Sequence, residues 1–439
     1  MIKLEYTSIG KHTHNPKFDV YYYVSIDSIE EIKTNSYEII FDGIERGKLT
    51  SLNQRNLLNS YEEIEPFLFS IKTNNVVFET FKNSQLNKGS RGKWFLIRIT
   101  KNTTELSVSI ARDDYNNLEF TPDERYISSI NQINNRSKVG KDLNKFFSWS
   151  SFKLSNKEEI LKALSKPMEI DRMFPKYKLN VYNVGQGNLT AITDEDNMPL
   201  VYFDLGGGFA WNKFTYPNTL RLCFSSCKTV IISHWDNDHV ETAKRYFGFN
   251  PAILNGITWI APEQDITVSY FKLAAKMSVS GNLILWPKNL KGSISLWFGK
   301  LIKCKGSDKN NSGLAMIVNS PNNTIKSILN PADAAYLNIP GIKKMKFDGL
   351  VATHHGANFF NANSPIPISN IEKGNIAFSY GRYNTYNHPR NESVDAHHYS
   401  NWTNCYNTKD GNISFTTDAS YLEVPCGCSS CSLNITHTF

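Results

Sequence analysis

The sequence predicts an α/β fold in which a layered α/β domain follows a β-rich N-terminal domain, and two observations carry this prediction. From Lys178 onward, short apolar runs alternate with polar or glycine-containing turns. Buried strands with polar residues at their C-terminal ends are typical of layered α/β proteins whose site lies at the strand ends. Before residue 150, aromatic and β-branched runs are separated by polar clusters, which is typical of β-rich domains.

Length, composition and charge are those of an ordinary globular protein. The chain has 439 residues, 40% of them hydrophobic, and domains usually have roughly 100–200 residues, so we expect two domains. A net charge of +7 weakly favours an anionic partner. The first residues lack the pattern of a secretory signal, and no run approaches the roughly 18 apolar residues of a membrane span. An odd count of 7 cysteines argues against a secreted disulfide framework. We therefore expect a cytoplasmic protein that does not bind membranes.

Four segments are predicted along the chain: a β-rich domain at 1–150, a helical linker at 151–177, the layered domain at 178–425 and a cysteine-containing tail at 426–439. Runs at 20–24 and 94–99 indicate strands of the first domain. A helical pattern covers 156–164, and Ser155 is its expected N-cap. The first 150 residues carry no motif that indicates chemistry, so binding of a regulatory protein partner is a hypothesis for them.

The layered domain is predicted to contain buried strands at 179–184, 200–203, 229–232, 314–318, 325–329, 349–352 and 376–378. The third of these runs directly into a segment that carries His234, Asp236, Asp238 and His239. Side chains alternate on an extended backbone, so the first three are expected to face one side, and a helix is expected after His239. Clustered carboxylates and histidines at the end of a buried strand are costly unless a cation compensates their charge. The segment therefore predicts a dinuclear metal site rather than a solvated loop.

This His-x-Asp-x-Asp-His pattern resembles the metallo-β-lactamase superfamily and, more narrowly, the soluble nuclease domain of the ComEC competence proteins. Further blocks in the same order carry the resemblance across about residues 178–420: Val-Gly-Gln-Gly at 184–187, Asp-x-Gly at 204–206, Asn-Asn-Ser-Gly-Leu at 310–314, an aspartate at 333, His-His-Gly at 354–356 and Tyr-x-His-Pro at 386–389. No single block is decisive, and their joint order is the strong signal. The resemblance implies an αββα sandwich over 178–425. The chain departs from the family at Asn183 and Asn188, where aspartates are usual, and at 330–332.

The resemblance also implies the roles of individual residues. His234 and Asp236 would hold one ion, Asp238 and His239 would hold a second, and Asp333 would bridge them. Further ligands would come from three histidines that the sequence does not rank: His354, His355 and His388. One of the adjacent pair, His354 or His355, could instead donate a hydrogen bond to a substrate phosphate. The implied catalytic residues are Asp238, His355 and His388. The residues expected to support the ligands or face the substrate are Asp204, Ser312 and Tyr386.

Two divalent ions, Mn²⁺ or Zn²⁺, would lower the pKa of a bridging water and supply a metal-bound hydroxide. Because Asp236 adds a hard oxygen donor, Mn²⁺ is expected to support activity at least as well as Zn²⁺. The leading hypothesis is a phosphodiesterase that acts on nucleic acid, with DNA favoured. Tyr380, Tyr383 and Tyr386 would either stack on bases or lie in the core. The alternative is a hydrolase of a small phosphodiester or ester. A non-catalytic binding protein is the third reading.

Three weaker signals stay open. Cys426, Cys428 and Cys431, with or without Cys405, would form either a structural zinc site or free thiols in the tail. His397 and His398 would either line the substrate cleft or lie at the surface. The pair His12 and His14 lacks acidic or cysteine neighbours and is expected to lie in a surface loop.

Overall fold

The computed structural model describes residues 20–33, 35–51, 61, 64–74, 94–100, 106–112, 121–164, 177–249, 255–280, 282–319, 326–358, 365–415, 419–421 and 433–436. The chain divides into two compact units, Met1–Lys153 with Asp265–Val279, and Leu154–Gln264 with Ser280–Phe439. The domain boundaries predicted from the sequence place residues 265–279 in the second domain, whereas in the structure Asp265–Val279 belongs to the first unit. The fold is mixed α/β, with several sheets and few helices among the described residues.

The α-helices of the described residues are α1 (Lys138–Phe146), α2 (Lys157–Ala163), α3 (Asn237–Phe249), α4 (Val268–Ser280) and α5 (Asn391–Tyr399). Short 3-10 segments lie at Arg46–Ser51, Trp149–Ser151, Ala210–Thr215, Asn310–Ser312, Tyr336–Asn338, Ile342–Lys344, Thr353–Gly356 and Thr408–Asp410. None of the helices in this described part is long and apolar enough to cross a membrane.

The first unit contains a closed six-stranded barrel of β1 (Val20–Lys33), β2 (Ser36–Glu45), β3 (Phe67–Asn74), β4 (Trp94–Thr100), β5 (Leu106–Arg112) and β6 (Thr121–Gln132). Strand β1 pairs with both β2 and β4, which closes the ring. Alternate side chains such as Tyr22, Val24, Phe69 and Ile97 fill one buried cluster, as the period of two in a strand requires. The β-rich character predicted for the N-terminal part is confirmed.

The second unit contains two large sheets. The first has the order β13-β12-β11-β9-β8-β7-β21-β22, and the second runs β14 to β20 in sequence order. Their strands are β7 (Lys178–Val181), β8 (Thr190–Thr193), β9 (Pro199–Phe203), β11 (Thr229–Ile231), β12 (Thr258–Pro262), β13 (Asn282–Trp286), β14 (Gly292–Leu296), β15 (Gly299–Lys303), β16 (Leu314–Asn319), β17 (Ser327–Asn330), β18 (Gly349–Val351), β19 (Asn375–Phe378), β20 (Asn404–Asn407), β21 (Ile413–Phe415) and β22 (Ala419–Tyr421). A separate two-stranded sheet joins β10 (Thr219–Leu222) to β23 (Leu433–Thr436).

The two large sheets face each other across one apolar core. A single buried cluster joins Val181 and Phe203 of the first sheet to Met316 and Val351 of the second. On the other face of the second sheet, Ile317 packs in a separate buried cluster. Strand β16 is therefore buried on both faces, which explains why its sequence is a continuous apolar run.

Each predicted apolar run contains a strand, namely β7, β9, β11, β16, β17, β18 or β19. Strand β7 ends at Val181, so the predicted residues 182–184 are not part of it, and the other strands differ from the predicted runs only at their ends. Residue 325 lies outside the described range. The predicted helix is confirmed as α2, but the prediction of its N-cap at Ser155 is wrong. Asn156 accepts a hydrogen bond from the Glu159 amide at 2.9 Å, and Glu159 accepts one from the Asn156 amide at 3.0 Å. This reciprocal capping box places the cap one residue later.

Candidate metal centre

The candidate site lies where strands of the two large sheets end. Asp204 follows β9, His234 follows β11 after two residues, and Asp333 follows β17 in the same manner. His354 and His355 follow β18. Strand β9 runs parallel to β11, and β17 runs parallel to β18. Because the ends of parallel strands meet at one edge of a sheet, residues far apart in the sequence come together there.

Helix α3 begins earlier than the sequence predicted. It starts at Asn237, so Asp238 and His239 lie in its first turn. The expectation that Asp238 alternates with His234 and Asp236 on an extended backbone is therefore wrong. The amide of His239 donates to the Asp236 carbonyl at 2.9 Å, which turns the chain into the helix.

The backbone at the centre is held in strained conformations. Asp204, Ala332, His354 and His355 have φ values of 62°, 50°, 45° and 56°. Each non-glycine residue in this left-handed region costs about 1–2 kcal/mol. The amide of His354 donates to the Ala332 carbonyl at 3.0 Å, so a hydrogen bond joins the two strained turns that contain these residues. Such strain persists only where the surrounding fold determines it, and it clusters at functional sites.

Asp333 lies at the middle of the cluster with its two oxygens facing different partners. Oδ1 lies 3.0 Å from His239 Nε2 and 3.8 Å from His355 Nε2. Oδ2 lies 3.7 Å from His234 Nε2 and 3.6 Å from His354 Nε2. One carboxylate therefore separates two sets of ligand atoms, which we name the Oδ1 half and the Oδ2 half of the centre.

The Oδ1 half is the more compact set. Ligand atoms of Asp238, His239, Asp333 and His355 all lie within 4.8 Å of one another. His355 Nε2 is 3.0 Å from Asp238 Oδ2. Two carboxylates and two imidazoles are a donor set that suits divalent ions such as Zn²⁺ or Mn²⁺.

Asp204 orients two of the candidate ligands, although it is not part of either half. His239 Nδ1 lies 2.8 Å from Asp204 Oδ2, and Ser233 Oγ donates to the same oxygen at 2.8 Å. Since the hydroxyl proton is used there, His234 Nδ1 must be the donor in its 2.9 Å contact with Ser233 Oγ. When they act as ligands, both histidines therefore carry a proton on Nδ1 and turn Nε2 toward the centre. Asn188 Nδ2 also donates to Asp204 Oδ2, at 2.8 Å.

The three histidines that the sequence did not rank differ in their partners. His355 Nδ1 donates to the Ser379 carbonyl at 2.7 Å, which leaves Nε2 free to ligate. Gln186 Nε2 lies 3.1 Å from His388 Nδ1, and Asn310 Nδ2 lies 3.4 Å from His354 Nδ1. Burial lowers the pKa of His354, and burial together with His354 lowers that of His388 well below its usual value.

Burial and charge together set the pKa values of the Oδ1 half. Burial alone would raise the pKa of Asp238, but His239 and His355 outweigh it and hold the pKa below its usual value. Burial would likewise raise the pKa of Asp333, yet His239 and its neighbours lower it well below the usual value. For His239 burial would lower the pKa, but Asp333 and Asp204 raise it well above the ordinary value. The carboxylates therefore stay charged, as ligands of a cation must.

Two glycine-containing turns hold the first turn of α3 in place. The Asp238 carbonyl accepts hydrogen bonds from the amides of Asn188 and Gly207, both at 3.0 Å. A Cβ atom on Gly206 would lie 1.8 Å from that carbonyl oxygen, and one on Gly187 would lie 2.6 Å from it. The glycines of the Gly-Gln-Gly and Asp-x-Gly blocks are thus explained by the close approach of their backbone to the first turn of α3, which carries Asp238.

Lys309 and Gln264 contact the segment that carries His234, Trp235 and Asp236, and neither residue was predicted from the sequence. Lys309 Nζ pairs with Asp236 Oδ1. Burial would raise the pKa of Asp236, but Lys309 and then His234 outweigh it and lower the pKa. Gln264 accepts from the Trp235 amide at 3.3 Å. Lys309 directly precedes the 310–314 block, and this adjacency is the one sequence signal that could have found it.

Ser312 and Tyr386 were expected to support the ligands or face the substrate. Ser312 Oγ accepts a hydrogen bond from Gln264 Nε2 at 2.8 Å. Gln264 in turn accepts one from the Trp235 amide, so Ser312 contacts the segment between His234 and Asp236 only through this glutamine. The ring of Tyr386 is half-buried, and its centroid lies 5.8 Å from that of His388.

The weaker sequence signals have separate outcomes. His397 is fully buried, with Nε2 2.9 Å from the Tyr336 hydroxyl, and burial lowers its pKa to about 4. It is therefore a core residue, whereas His398 is exposed. Tyr380 is also buried, which removes it as a stacking residue. The histidine pair near the N-terminus and the cysteines of the tail lie outside the described residues.

The residues of the centre fit divalent cations. Nε2 of His234 and Nε2 of His239 are buried without a hydrogen-bond partner in the described part of the chain. Buried polar atoms are rarely left unpaired, and both atoms face Asp333. A scan against protein-family models matches no family, and a search of the curated proteins finds no match.

Proposed function

We propose that the chain is a metal-dependent phosphodiesterase that acts on nucleic acid, with DNA favoured. The observation that carries the proposal is the position of Asp333, with Oδ1 facing His239 and Oδ2 facing His234. A carboxylate between two sets of ligands suits a bridge between two divalent ions, and two-ion centres serve phosphatases and nucleases. We propose Mn²⁺ or Zn²⁺ as these ions.

The fold supports the same proposal. Two facing sheets, with α5 residues packed on the outer face of the second sheet, suit the αββα sandwich of the metallo-β-lactamase superfamily. The sequence blocks that resemble ComEC-type nuclease domains lie at the strand ends that form the centre. Fold resemblance alone does not determine the substrate, so the nuclease assignment depends on the site and its surroundings.

Each residue of the centre has a proposed role. Asp238, His239, Asp333 and His355 would hold one ion, and His234, Asp236 and His354 would complete the other half with Asp333. When bound, the ions would lower the pKa of a water molecule and polarise the phosphoryl oxygen. Gln186 donates to Nδ1 of His388 and leaves the imidazole proton on Nε2. His388 is therefore suited to donate a hydrogen bond to a substrate oxygen.

Nucleic acid as the substrate class has support from charge and exposed rings. The net charge is +7, and Tyr383 is 84% exposed beside Arg382, whose side chain is 60% exposed. An exposed aromatic ring next to a cationic side chain suits the stacking of a base near a phosphate. Tyr386, close to His388, offers a second ring.

A small phosphodiester or ester is the second candidate substrate, and the burial of the centre favours it. The carboxylate side chains of Asp236 and Asp238 are 16% and 23% exposed, whereas that of Asp333 is 3% exposed. A small substrate reaches carboxylates that are buried to this degree more readily than a duplex does. A non-catalytic binding protein is the third candidate, and it would require the site to have lost its metal ions.

The proposal is tested by incubating metal-loaded protein with single- and double-stranded DNA, RNA and a chromogenic phosphodiester. We expect cleavage of DNA that is lost in Asp238→Ala and retained in Asp196→Asn, which changes an exposed aspartate outside the centre. Cleavage of only the chromogenic substrate would establish the second candidate. Absence of both bound ions and cleavage of any substrate would establish the binding protein, and ion binding without cleavage of any substrate would overturn the proposal.

A further inference from the structure

Lys309 places its ammonium group against one ligand of the Oδ2 half. Nζ pairs with Oδ1 of Asp236, and the two side chains are 17% and 16% exposed. The carbonyl of Lys309 accepts from Gln264 Nε2 at 2.6 Å, and Gln264 Oε1 accepts from the Trp235 amide at 3.3 Å. One glutamine thus joins the lysine to the loop that carries Asp236, so the ion pair is held by backbone contacts on both sides.

The Oδ2 half nevertheless keeps an open ligand. His234 is 1% exposed, and its Nε2 has no hydrogen-bond partner among the described residues. This atom lies 3.3 Å from Oδ2 of Asp236 and 3.7 Å from Oδ2 of Asp333. The oxygen of Asp236 that faces His234 is not the oxygen that Lys309 contacts. A cation can therefore reach this half, but it must share Asp236 with an ammonium group.

We infer that Lys309 makes the two halves of the centre bind metal ions in order, the Oδ1 half first. This inference rests on the proposed function. In the Oδ1 half the carboxylates of Asp238 and Asp333 lie beside the imidazoles of His239 and His355, whose ring orientations are fixed by hydrogen bonds at Nδ1. The ligand atoms of these four residues already lie within 4.8 Å of one another. In the Oδ2 half the ammonium group of Lys309 already neutralises the carboxylate of Asp236. The same ammonium group repels an incoming divalent ion. Lys309 is in this sense a positioning residue that acts through Asp236.

Metal titration of chelator-treated protein tests the inference without measuring activity. Calorimetric titration with Mn²⁺ should show two steps in the wild type, with affinities at least tenfold apart. In Lys309→Met the second step should tighten by tenfold or more, because the competing charge is gone. Lys309→Arg should keep the separation. Lys305→Met, which removes an exposed lysine four residues earlier, is the matched control and should behave as the wild type.

A second variant covers the case in which Lys309→Met does not fold, as judged by circular dichroism. Asp236→Asn should lose the second step and keep the first. Identical steps in the wild type and Lys309→Met, or loss of the first step in Asp236→Asn, would overturn the ordered binding and leave the proposed function intact. Absence of ion binding in every folded variant and in the wild type would overturn the proposed function as well.

Discussion

His239 Nδ1 lies 2.8 Å from Oδ2 of the buried Asp204, and this contact turns Nε2 of the imidazole toward Asp333. The carboxylate fixes which ring nitrogen carries the proton. The partner that orients a ligand histidine typically contributes 10–100-fold to metal affinity. Asp204 would therefore affect the binding of metal ions, although it belongs to neither the Oδ1 half nor the Oδ2 half.

Asp204→Asn should weaken metal binding by roughly 10–100-fold. An amide group beside His239 would offer an N–H to Nδ1 and move the imidazole proton to Nε2, which removes the lone pair that a metal needs. Competition with a chromogenic chelator measures the change. Asp410→Asn, which alters a surface ion pair with Lys409, is the control and should leave affinity unchanged. Equal affinities for both variants would show that Asp204 has no orienting role.

His355→Ala and His397→Ala should separate a ligand from a core histidine of similar burial. Both side chains are at least 98% buried, at 2% and 0% exposure. His355→Ala should abolish ion binding in the Oδ1 half, because Nε2 lies 3.0 Å from Asp238. His397→Ala leaves the Tyr336 hydroxyl and the Ser393 carbonyl without their histidine partner, which should cost about 1–3 kcal/mol of stability.

Ion binding by mass spectrometry and urea unfolding distinguish these two outcomes. Retained ion stoichiometry with a lowered unfolding midpoint is expected for His397→Ala alone. If His355→Ala bound ions as the wild type does, the assignment of His355 as a ligand would be wrong.

The sequence predicted seven strands of the second unit because buried strands are continuous apolar runs, as in β16 and β18. It could not place the start of α3 at Asn237, since the Asp238 carbonyl is held by amides of Asn188 and Gly207 from distant turns. Nor could it rank His355, because the deciding contact is with the Ser379 carbonyl. Spacing along the chain reports local periodicity, whereas tautomers and ion pairs such as that of Lys309 depend on contacts between distant segments.

Gly206→Ala should displace the first turn of α3 and weaken metal binding. The new Cβ would lie 1.8 Å from the Asp238 carbonyl oxygen, so the loop that carries the ligands must move. Overpacking of this kind typically costs about 1–3 kcal/mol or more. Gly47→Ala is the control, since the nearest atom to its Cβ would be 3.9 Å away. Thermal unfolding and chelator competition provide the two readouts, and wild-type values in both would contradict the close contact.

The stability of the first unit should fall as the pH rises from about 4 to about 7. Burial, and then the charge of Asp27, raise the pKa of Asp42 to about 7, although Ser269 donates to it through both its amide and its hydroxyl. Unfolding returns this carboxyl to a pKa of roughly 3.9. Between the two values the folded state holds a proton that the unfolded state has lost, so rising pH favours unfolding by an amount on the order of a few kcal/mol.

Asp42→Asn should remove this pH dependence, because an amide keeps an acceptor for Ser269 and does not titrate. Urea unfolding at pH 5 and pH 8, followed by hydrogen exchange of the barrel strands, measures the difference. Asp196→Asn, a solvent-exposed aspartate in the second unit, should retain the wild-type slope. A slope unchanged in Asp42→Asn would mean that another group carries the pH dependence.

Mn²⁺ should restore activity to chelated protein at least as well as Zn²⁺. Three carboxylates of the centre, from Asp236, Asp238 and Asp333, offer hard oxygen donors beside the imidazoles. Thiolates, which favour zinc, are not among the ligand atoms described here, and oxygen-rich sites suit Mn²⁺. Asp236→His would replace one oxygen donor by nitrogen and should shift the ratio of activities toward Zn²⁺. Restoration by Zn²⁺ alone in the wild type would contradict the prediction, and an unchanged ratio in the variant would show that Asp236 does not determine metal preference.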